Sequence, residues 1–332
     1  MERGRGVSAV PAGGFHSARS QAMDFGRRYG IVVVFVAVLV ILAATLPQFR
    51  TAANLRNVLQ QNAVIGIIAC AMTFAIISGG FDLSVGAGAA LASVVGARLI
   101  IEAGIPIGIL GALVAGLALG LLNGWLIAYA GVNPFVATLG TATVVRGLIY
   151  VTTNATPFFG VPMGFTVVGL GRTGPLPNAT WIFLVVAGAL AFAMHQTRFG
   201  HYVYAIGGNA IAAAEMGINV RRIKLAVYAL VGLSAAIAGI ILTGQTASGQ
   251  PQAALNYELT AITAVIVGGA SLGGGRGGMA GTILGVFLLG LVSNALNLYG
   301  VSAFWQPVAT GTILVLAVGI DSYSRRSVFA GS

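Results

Sequence analysis

Residues 77–86 read ISGGFDLSVG and place one carboxylate, Asp82, in a glycine-rich stretch between two uncharged runs. Residues 57–81 and 83–97 contain no Asp, Glu, Lys or Arg. A carboxylate in this setting lies either in a tight turn at the edge of a bilayer or in a helix that is broken inside the membrane. Polar groups at membrane depth are costly and usually functional, so both positions favour a role in transport over soluble chemistry.

The composition around this stretch is that of an α-helical membrane protein. Of the 332 residues, 57% are hydrophobic and 7% are charged, against about 25% charged in a soluble domain. The uncharged runs 103–145 and 277–320 are each long enough for two spans of roughly 20 residues. Both runs are continuously apolar, whereas a membrane β-barrel would alternate apolar and polar residues.

We therefore predict an all-α polytopic membrane protein with about ten transmembrane helices, some of them short or broken. The predicted spans are 30–46, 62–78, 83–101, 106–128, 134–152, 180–195, 224–243, 259–272, 279–299 and 303–319. They form one transmembrane domain over 29–321, between a disordered cytoplasmic tail at 1–28 and a cytoplasmic tail at 322–332. Spans 62–78 and 259–272 are short and end in glycine-rich sequence, which is typical either of helices broken around a pathway or of tight cytoplasmic turns.

The distribution of basic residues orients these spans. With the N-terminus inside, twelve basic residues fall in inner segments and four in outer ones, while Arg146 lies within a span. This arrangement obeys the positive-inside rule and places both termini in the cytoplasm. It also accounts for the net charge of +10 without a nucleic-acid partner. The single cysteine, Cys70, excludes a disulfide framework, and nothing in the pattern predicts a metal or another cofactor.

The longest polar loop between spans is cytoplasmic and contains a short helix with a cap at each end. Asn209 is a good N-cap, the following residues favour helix, and Gly217 stands where a C-terminal glycine is expected. A simple connection does not need such a helix, so the sequence predicts a docking surface for another protein. Its candidate residues are Asn209, Ala213, Glu215, Gly217, Arg221 and Arg222.

A second set of residues provides candidates for a substrate pathway, each with a structural alternative. These are Asp82, Ser84, Asn123, Trp125, Thr138, Thr141, Arg146 and Glu258. Asp82 and Ser84 either cap the helix that follows them or act in the pathway. The amide, hydroxyl and indole groups either contact solute or bond neighbouring helices.

Arg146 and Glu258 are the two charged candidates of this second set. Arg146 either extends toward the outer surface or pairs with Glu258 or a backbone carbonyl. Glu258 is predicted near the outer mouth, as a pathway residue, as a first-turn helix acid, or as a contact for an outer partner.

Several stretches resemble one family, the membrane-spanning permease subunit of bacterial ABC importers for monosaccharides of the ribose, xylose and galactose type. The matching stretches are SGGFDLSVG at 78–86, GLLNGWLIAYAGVNPFVATLGT at 120–141, RFGHYVYAIGGN at 198–209, GINVRRIKLAVYALVGLSAAIAGI at 217–240 and QPQAALNYELTAITAVIVGGASLGGGRG at 250–277. The chain departs from the family pattern at Ala210 and Thr260, where acidic residues are usual, and at Phe81, where Ile is common.

The resemblance implies a transport subunit of the bacterial inner membrane, not an enzyme, with ATP hydrolysis on a separate protein. The sequence has no P-loop, and its only lysine is Lys224. The helix at 209–217 would be the coupling helix that docks on a cytoplasmic ABC ATPase. A periplasmic sugar-binding protein would deliver the solute, and a second permease chain, expected to be identical, would complete the pathway in the lipid bilayer.

Other functions stay open at this point. A branched-chain amino acid ABC permease shares the architecture, and a stand-alone secondary transporter would need an ionisable relay. A membrane enzyme would need a catalytic constellation. The sequence does not indicate which sugar or polyol is carried.

Overall fold

The computed structural model describes the backbone of residues 18–329 and the side chains of residues 30–319. The described part of the chain is almost entirely helical. Its α-helices are α1 (Ala18–Thr45), α2 (Ala52–Ile77), α3 (Val85–Ala103), α4 (Ile105–Ala128), α5 (Pro134–Thr153), α6 (Thr166–Gly169), α7 (Asn178–Gln196), α8 (Arg198–Gly208), α9 (Ala210–Glu215), α10 (Val220–Thr246), α11 (Tyr257–Val267), α12 (Met279–Leu298) and α13 (Trp305–Phe329). Short 3₁₀ turns lie at Pro47–Arg50 and Met163–Phe165.

Seven helices within the described residues are long and apolar enough to cross a membrane: α2, α3, α4, α5, α7, α10 and α12. Shorter apolar helices at Gly30–Thr45, Tyr257–Val267 and Trp305–Gly319 coincide with the other three predicted spans. These findings establish a multi-pass α-helical membrane protein. The number of ten crossings stays a prediction.

Three of the predicted boundaries differ from the structure by ten residues or more. Helix α1 begins at Ala18, inside the segment predicted to be disordered, while residues 1–17 of that segment lie outside the described residues. Helix α2 begins at Ala52, ten residues before the predicted start of its span, because Asn54, Arg56 and Asn57 belong to its polar first two turns. Helix α13 continues to Phe329 through most of the predicted tail, and residues 330–332 lie outside the described part.

Four two-residue strands occur in the connections on the side predicted to be outer. Strand β1 (Phe158–Phe159) pairs antiparallel with β4 (Ser248–Gly249), and β2 (Arg172–Thr173) pairs antiparallel with β3 (Leu176–Pro177). The first pair fixes the loop after α5 to the end of α10. The second pair closes a hairpin just before α7.

Helix α2 lies at the centre of the bundle and is buried along most of its length after Asn62. Its apolar side chains form one large cluster with residues of α7, α10, α11 and α12. Glycines allow the closest approaches between other helices. A Cβ at Gly116 of α4 would overlap Ala236 and the Gly232 carbonyl of α10, which is the small-residue packing that helices need where lipid supplies no hydrophobic drive.

Candidate functional site: a broken-helix centre and an amide cavity

The connection between α2 and α3 turns back into the bundle. Helix α2 ends with a hydrogen bond from the Gly80 N–H to the Ala75 carbonyl, and Gly79 adopts φ +83°, which favours glycine. The Asp82 N–H then lies 3.4 Å from Met72 Sδ. Met72 is five residues before the end of α2, or about 7 Å back along its axis. Helix α2 itself is continuous over Ala52–Ile77, and the chain after it turns back beside its last turns, so α3 starts inside the bundle.

Asp82 is almost completely buried, with 1% of its surface exposed, and its carboxylate is satisfied by neutral donors. Its Oδ1 accepts from the backbone N–H of Ser84 at 2.7 Å and from the Ser84 hydroxyl at 2.6 Å. Its Oδ2 lies 3.4 Å from Asn123 Nδ2. The ion pair formed within the described residues is Arg98–Glu102, so Asp82 has no basic partner there.

Two further hydrogen bonds extend this arrangement into a chain, which we call the Asp82 cluster (Asp82, Ser84, Asn123 and Thr141). Asn123 Nδ2 donates to Ser84 Oγ at 2.7 Å, and Thr141 Oγ1 donates to Asn123 Oδ1 at 2.7 Å. The cluster thus joins the start of α3 to α4 and α5. Its geometry fits hydrogen bonding between helices, whereas no side chain among the described residues caps an N–H group of α3 itself: Ser84 is the N-cap residue, and Asp82 bonds the N–H of Ser84 two residues after it.

Of the other two uncharged candidates, Thr138 adjoins the cluster, because its carbonyl accepts a hydrogen bond from Thr141 Oγ1 at 3.1 Å. Thr138 is buried and donates to the Pro134 carbonyl one turn back in α5, at 2.8 Å. Trp125 has 54% of its surface exposed on the outer face of α4. The structure therefore does not place Trp125 beside the other pathway candidates.

A second break precedes α11. After β4, the Gln250 N–H bonds Ser93 Oγ at 3.1 Å, and the Ala254 carbonyl lies against Gly86. Ser93 and Gly86 are seven residues apart in α3, so residues 250–254 descend about 10 Å along that helix. We call residues 250–256 the descending segment. Helix α11 has 11 residues and rises about 16 Å, which is half of a bilayer core of about 30 Å.

Arg146 holds this descending segment in place. Its Nη1 donates to the carbonyls of Pro251 at 2.9 Å and Ala253 at 3.1 Å. Of the alternatives for Arg146, pairing with backbone carbonyls matches this geometry. Arg146 and Glu258 do not form an ion pair within 4.0 Å.

Glu258 lies deeper than its sequence position indicates. It belongs to the first turn of α11, and its Oε2 packs against Gly86 so closely that a Cβ there would overlap it. The expected position near the outer mouth is therefore wrong, because the descending segment carries the start of α11 into the bundle. The interpretation as a first-turn helix acid matches the structure.

A cavity of about 490 Å³ lies beside the start of α11, among residues of α2, α10, α12 and α13. Its polar lining groups are Gln61, Asn62, Gln245, Asn256, Tyr257, Thr260, Thr263, Ser293, Gln306 and Thr310. Five of these are amides, and none of the lining residues is Asp, Glu, Lys, Arg or His. We call it the amide cavity.

The amide cavity was not predicted, and its volume is within the range of about 300–1,000 Å³ that is typical of small-molecule sites. Two local signals pointed to it. The run Gln60-Gln61-Asn62 interrupts an otherwise apolar segment, and Thr260 belongs to the first turn after a break in the chain. Gln245 and Gln306 lie too far away in sequence for any pattern to join them.

The predicted short helix is present on the side assigned to the cytoplasm. Asn209 Oδ1 accepts from the N–H groups of Ile211 and Ala212 at 3.0 and 3.1 Å. At the other end the Gly217 and Ile218 N–H groups bond back to Ala214 and Ala213, with Gly217 at φ +84°.

The candidate residues on and after α9 divide into buried and exposed positions. Ala213 is fully buried and anchors the helix, whereas Glu215, Arg221 and Arg222 are exposed. Ile211 and Met216 expose 74% and 72% of their surfaces beside them. The helix therefore presents a mixed apolar and charged surface.

A contact made only of backbone atoms connects α8, just before α9, to the bundle. The Gly275 N–H donates to the Ile77 carbonyl at 2.9 Å, and Gly207 lies directly against both groups. Tyr204 donates to the Gly277 carbonyl at 2.8 Å. We call Ile77, Gly207 and Gly275 the glycine junction. It joins the end of α2, the end of α8 and the loop between α11 and α12.

Comparison with known proteins gives consistent matches along the chain. The family model described as "Branched-chain amino acid transport system / permease component" matches residues 54–318. No solved structure gives a significant match.

Three curated relatives illustrate the similarity. The ribose import permease protein RbsC of Escherichia coli K12 is 41% identical over 87% of this chain and 92% of that protein. RbsC of Bacillus subtilis 168 is 44% identical over 86% and 89%. The L-arabinose transport system permease protein AraH of Escherichia coli K12 is 36% identical over 97% and 99%.

Proposed function

Since this chain belongs to the family of branched-chain amino acid transport system permease components, we propose that it is the permease subunit of an ABC importer for a monosaccharide. The relatives that match nearly the whole chain carry names for the import of ribose and L-arabinose. The chain then provides the path through the membrane, and ATP hydrolysis belongs to a separate subunit.

The chemistry of the amide cavity supports a sugar over a branched-chain amino acid. An amino acid at neutral pH carries an ammonium and a carboxylate, and burying either one without a charged partner is costly. The cavity offers amide and hydroxyl groups but no charged side chain. These groups suit a neutral solute with many hydroxyl groups.

The surface of α9 supports docking of the ATPase. A connection of six helical residues with both ends capped, presenting Ile211 and Met216 to solvent, is more ordered than a plain linker needs to be. Exposed apolar groups of this size, with the exposed Glu215, Arg221 and Arg222 on the same short stretch of chain, fit a protein groove. This exposed, capped helix is the observation that carries the ATP-driven function over a stand-alone secondary transporter.

The remaining parts of the proposal concern arrangement in the membrane. The protein lies in a bacterial inner membrane, with both termini and α9 on the cytoplasmic side and the loop at 154–177 on the periplasmic side. A periplasmic sugar-binding protein delivers the solute at that face. A second copy of the chain completes the translocation path. The resemblance of the sequence motifs and the distribution of basic residues support this arrangement.

The decisive experiment is gentle purification of the tagged chain from its native membrane, followed by identification of bound proteins. We expect an ATPase with a Walker motif to co-purify with the native chain. Met216→Asp, on the exposed face of α9, should abolish this association, because it places a charge in an apolar contact. Met163→Asp provides the matched control, since Met163 is 76% exposed in the loop on the opposite side.

Two results would contradict the proposal. The ATPase would remain bound to Met216→Asp as firmly as to Met163→Asp, or no ATPase would be found and the chain alone would move solute in liposomes. The second result would identify a secondary transporter.

A further inference from the structure

The amide cavity is set apart from the charged groups of the bundle. Asp82 is enclosed by its own cluster, Glu258 packs against Gly86, and Arg146 is bonded to carbonyls of the descending segment. All three are held by other groups and none lines the cavity. A solute in the cavity therefore meets polar and apolar groups but no charged side chain.

The lining amides come from four different elements of the chain. Gln61 and Asn62 lie on α2, Gln245 is in the last turn of α10, Asn256 precedes α11, and Gln306 is in the first turn of α13. Asn62 donates to the Val58 carbonyl and Gln306 to Asn297, at 2.7 and 3.0 Å. These bonds leave the amide oxygens of both residues available as acceptors.

Each amide has an acceptor and two donors, so a ring of amides can pair with hydroxyl groups in either direction. Apolar residues, including Val64, Leu289 and Leu314, line the same space and suit the C–H face of a small ring. This mixture matches the general character of ligand sites, in which a few convergent polar groups stand in an apolar wall.

We propose that the amide cavity is a binding site, within the permease itself, for a neutral polyhydroxylated solute of monosaccharide size. This inference rests on the proposed function and adds a place and a ligand class to it. The permease then discriminates by charge at this point: a neutral ring with hydroxyl groups enters, whereas a zwitterion is rejected because no charged group compensates it.

The test uses protection of single cysteines from thiol labelling in the full chain, purified in lipid nanodiscs. Native Cys70 is buried, so the background labelling is low. Gln61→Cys and Asn256→Cys introduce thiols at two exposed positions of the cavity lining that belong to different elements. Asn57→Cys is the matched control, because Asn57 is exposed one turn before Gln61 on α2 and outside the cavity lining.

We expect D-ribose or L-arabinose at tens of millimolar to slow maleimide labelling of both cavity cysteines at least threefold, with Asn57→Cys unchanged. L-Leucine at the same concentration should have no effect. Unchanged labelling at both cavity positions, equal protection of Asn57→Cys, or protection by leucine would overturn the inference.

The outcome is separable from that of the proposed function, since labelling needs no ATPase. An ATPase that co-purifies, together with unprotected cavity cysteines, would leave the ABC assignment intact and remove the cavity site. Protection of the cavity cysteines by sugar, with no ATPase co-purifying, would support the cavity site and contradict the ABC assignment.

Discussion

The packing at the glycine junction predicts that alanine substitutions at Gly207 and Gly208, adjacent residues at the end of α8, change the stability of the protein in opposite directions. A Cβ at Gly207 would overlap the Ile77 carbonyl and lie 2.6 Å from the Gly275 nitrogen, both backbone atoms that cannot rotate away. Adding an atom to a fully packed site lowers the free energy of unfolding by about 1–3 kcal/mol. A Cβ at Gly208 meets nothing within 4 Å, and replacing a helical glycine gains up to about 1 kcal/mol.

The two variants should therefore differ in unfolding free energy by about 2–4 kcal/mol, with Gly207→Ala the less stable. The assay is the midpoint of unfolding of the purified chain in mild detergent, followed by ATP-driven uptake in the assembled importer. Gly207→Ala should also lower uptake per ATP hydrolysed, because the junction is a rigid backbone contact between the end of α8, next to α9, and both α2 and the loop after α11. Equal stability and equal uptake of the two variants would refute the reasoning.

Further predictions concern the other polar contacts. Asp82→Ala should destabilise the chain by about 1–3 kcal/mol, since it leaves the N–H and the hydroxyl of Ser84 without their acceptor, whereas Asp82→Asn should cost less because one oxygen remains; thermal unfolding would test both, and equal losses would contradict the cluster. Arg146→Leu should raise hydrogen exchange in residues 250–256, because two carbonyls lose a charged donor worth about 1.5–3 kcal/mol; unchanged exchange there would show that Arg146 does not hold the segment. Burial raises the pKa of Tyr204 above its ordinary value of 10.0, so its hydrogen bond to the Gly277 carbonyl should persist at neutral pH and be lost only as the pH rises through that raised pKa. Tyr204→Phe should therefore lower the free energy of unfolding by about 1 kcal/mol at neutral pH. A difference in stability between Tyr204→Phe and the native chain that changes with pH near pH 7 would argue against this bond.

The parts that the sequence predicted well depend on local chemistry. The broken connection after α2 follows from Gly79 and Gly80, and the caps of α9 follow from Asn209 and Gly217, whose hydrogen-bond partners lie within five residues. Both features are determined by backbone preferences that a short window of sequence contains.

The parts that were missed depend on contacts between distant residues. Glu258 was expected near the outer mouth, because nothing local indicates that residues 250–254 descend along α3. The amide cavity joins Gln61 to Gln245 and Gln306, which both lie more than 180 residues after Gln61 in the sequence. The Asp82 cluster is intermediate: its members were singled out individually, but the bond between Ser84 and Asn123, 39 residues apart, needed the fold.

The two breaks in the bundle explain how a membrane protein can keep acidic residues while leaving its polar cavity uncharged. Helices α3 and α11 both begin inside the bundle, and their first turns meet where Glu258 packs on Gly86. A helix N-terminus carries a partial positive charge that stabilises a nearby carboxylate. Asp82 and Glu258 each stand at such a start, so neither needs a basic side chain from the cavity wall. The wall is then free to consist of amides and hydroxyl groups, and this separation makes the cavity suitable for a solute that has many hydroxyl groups and no charge.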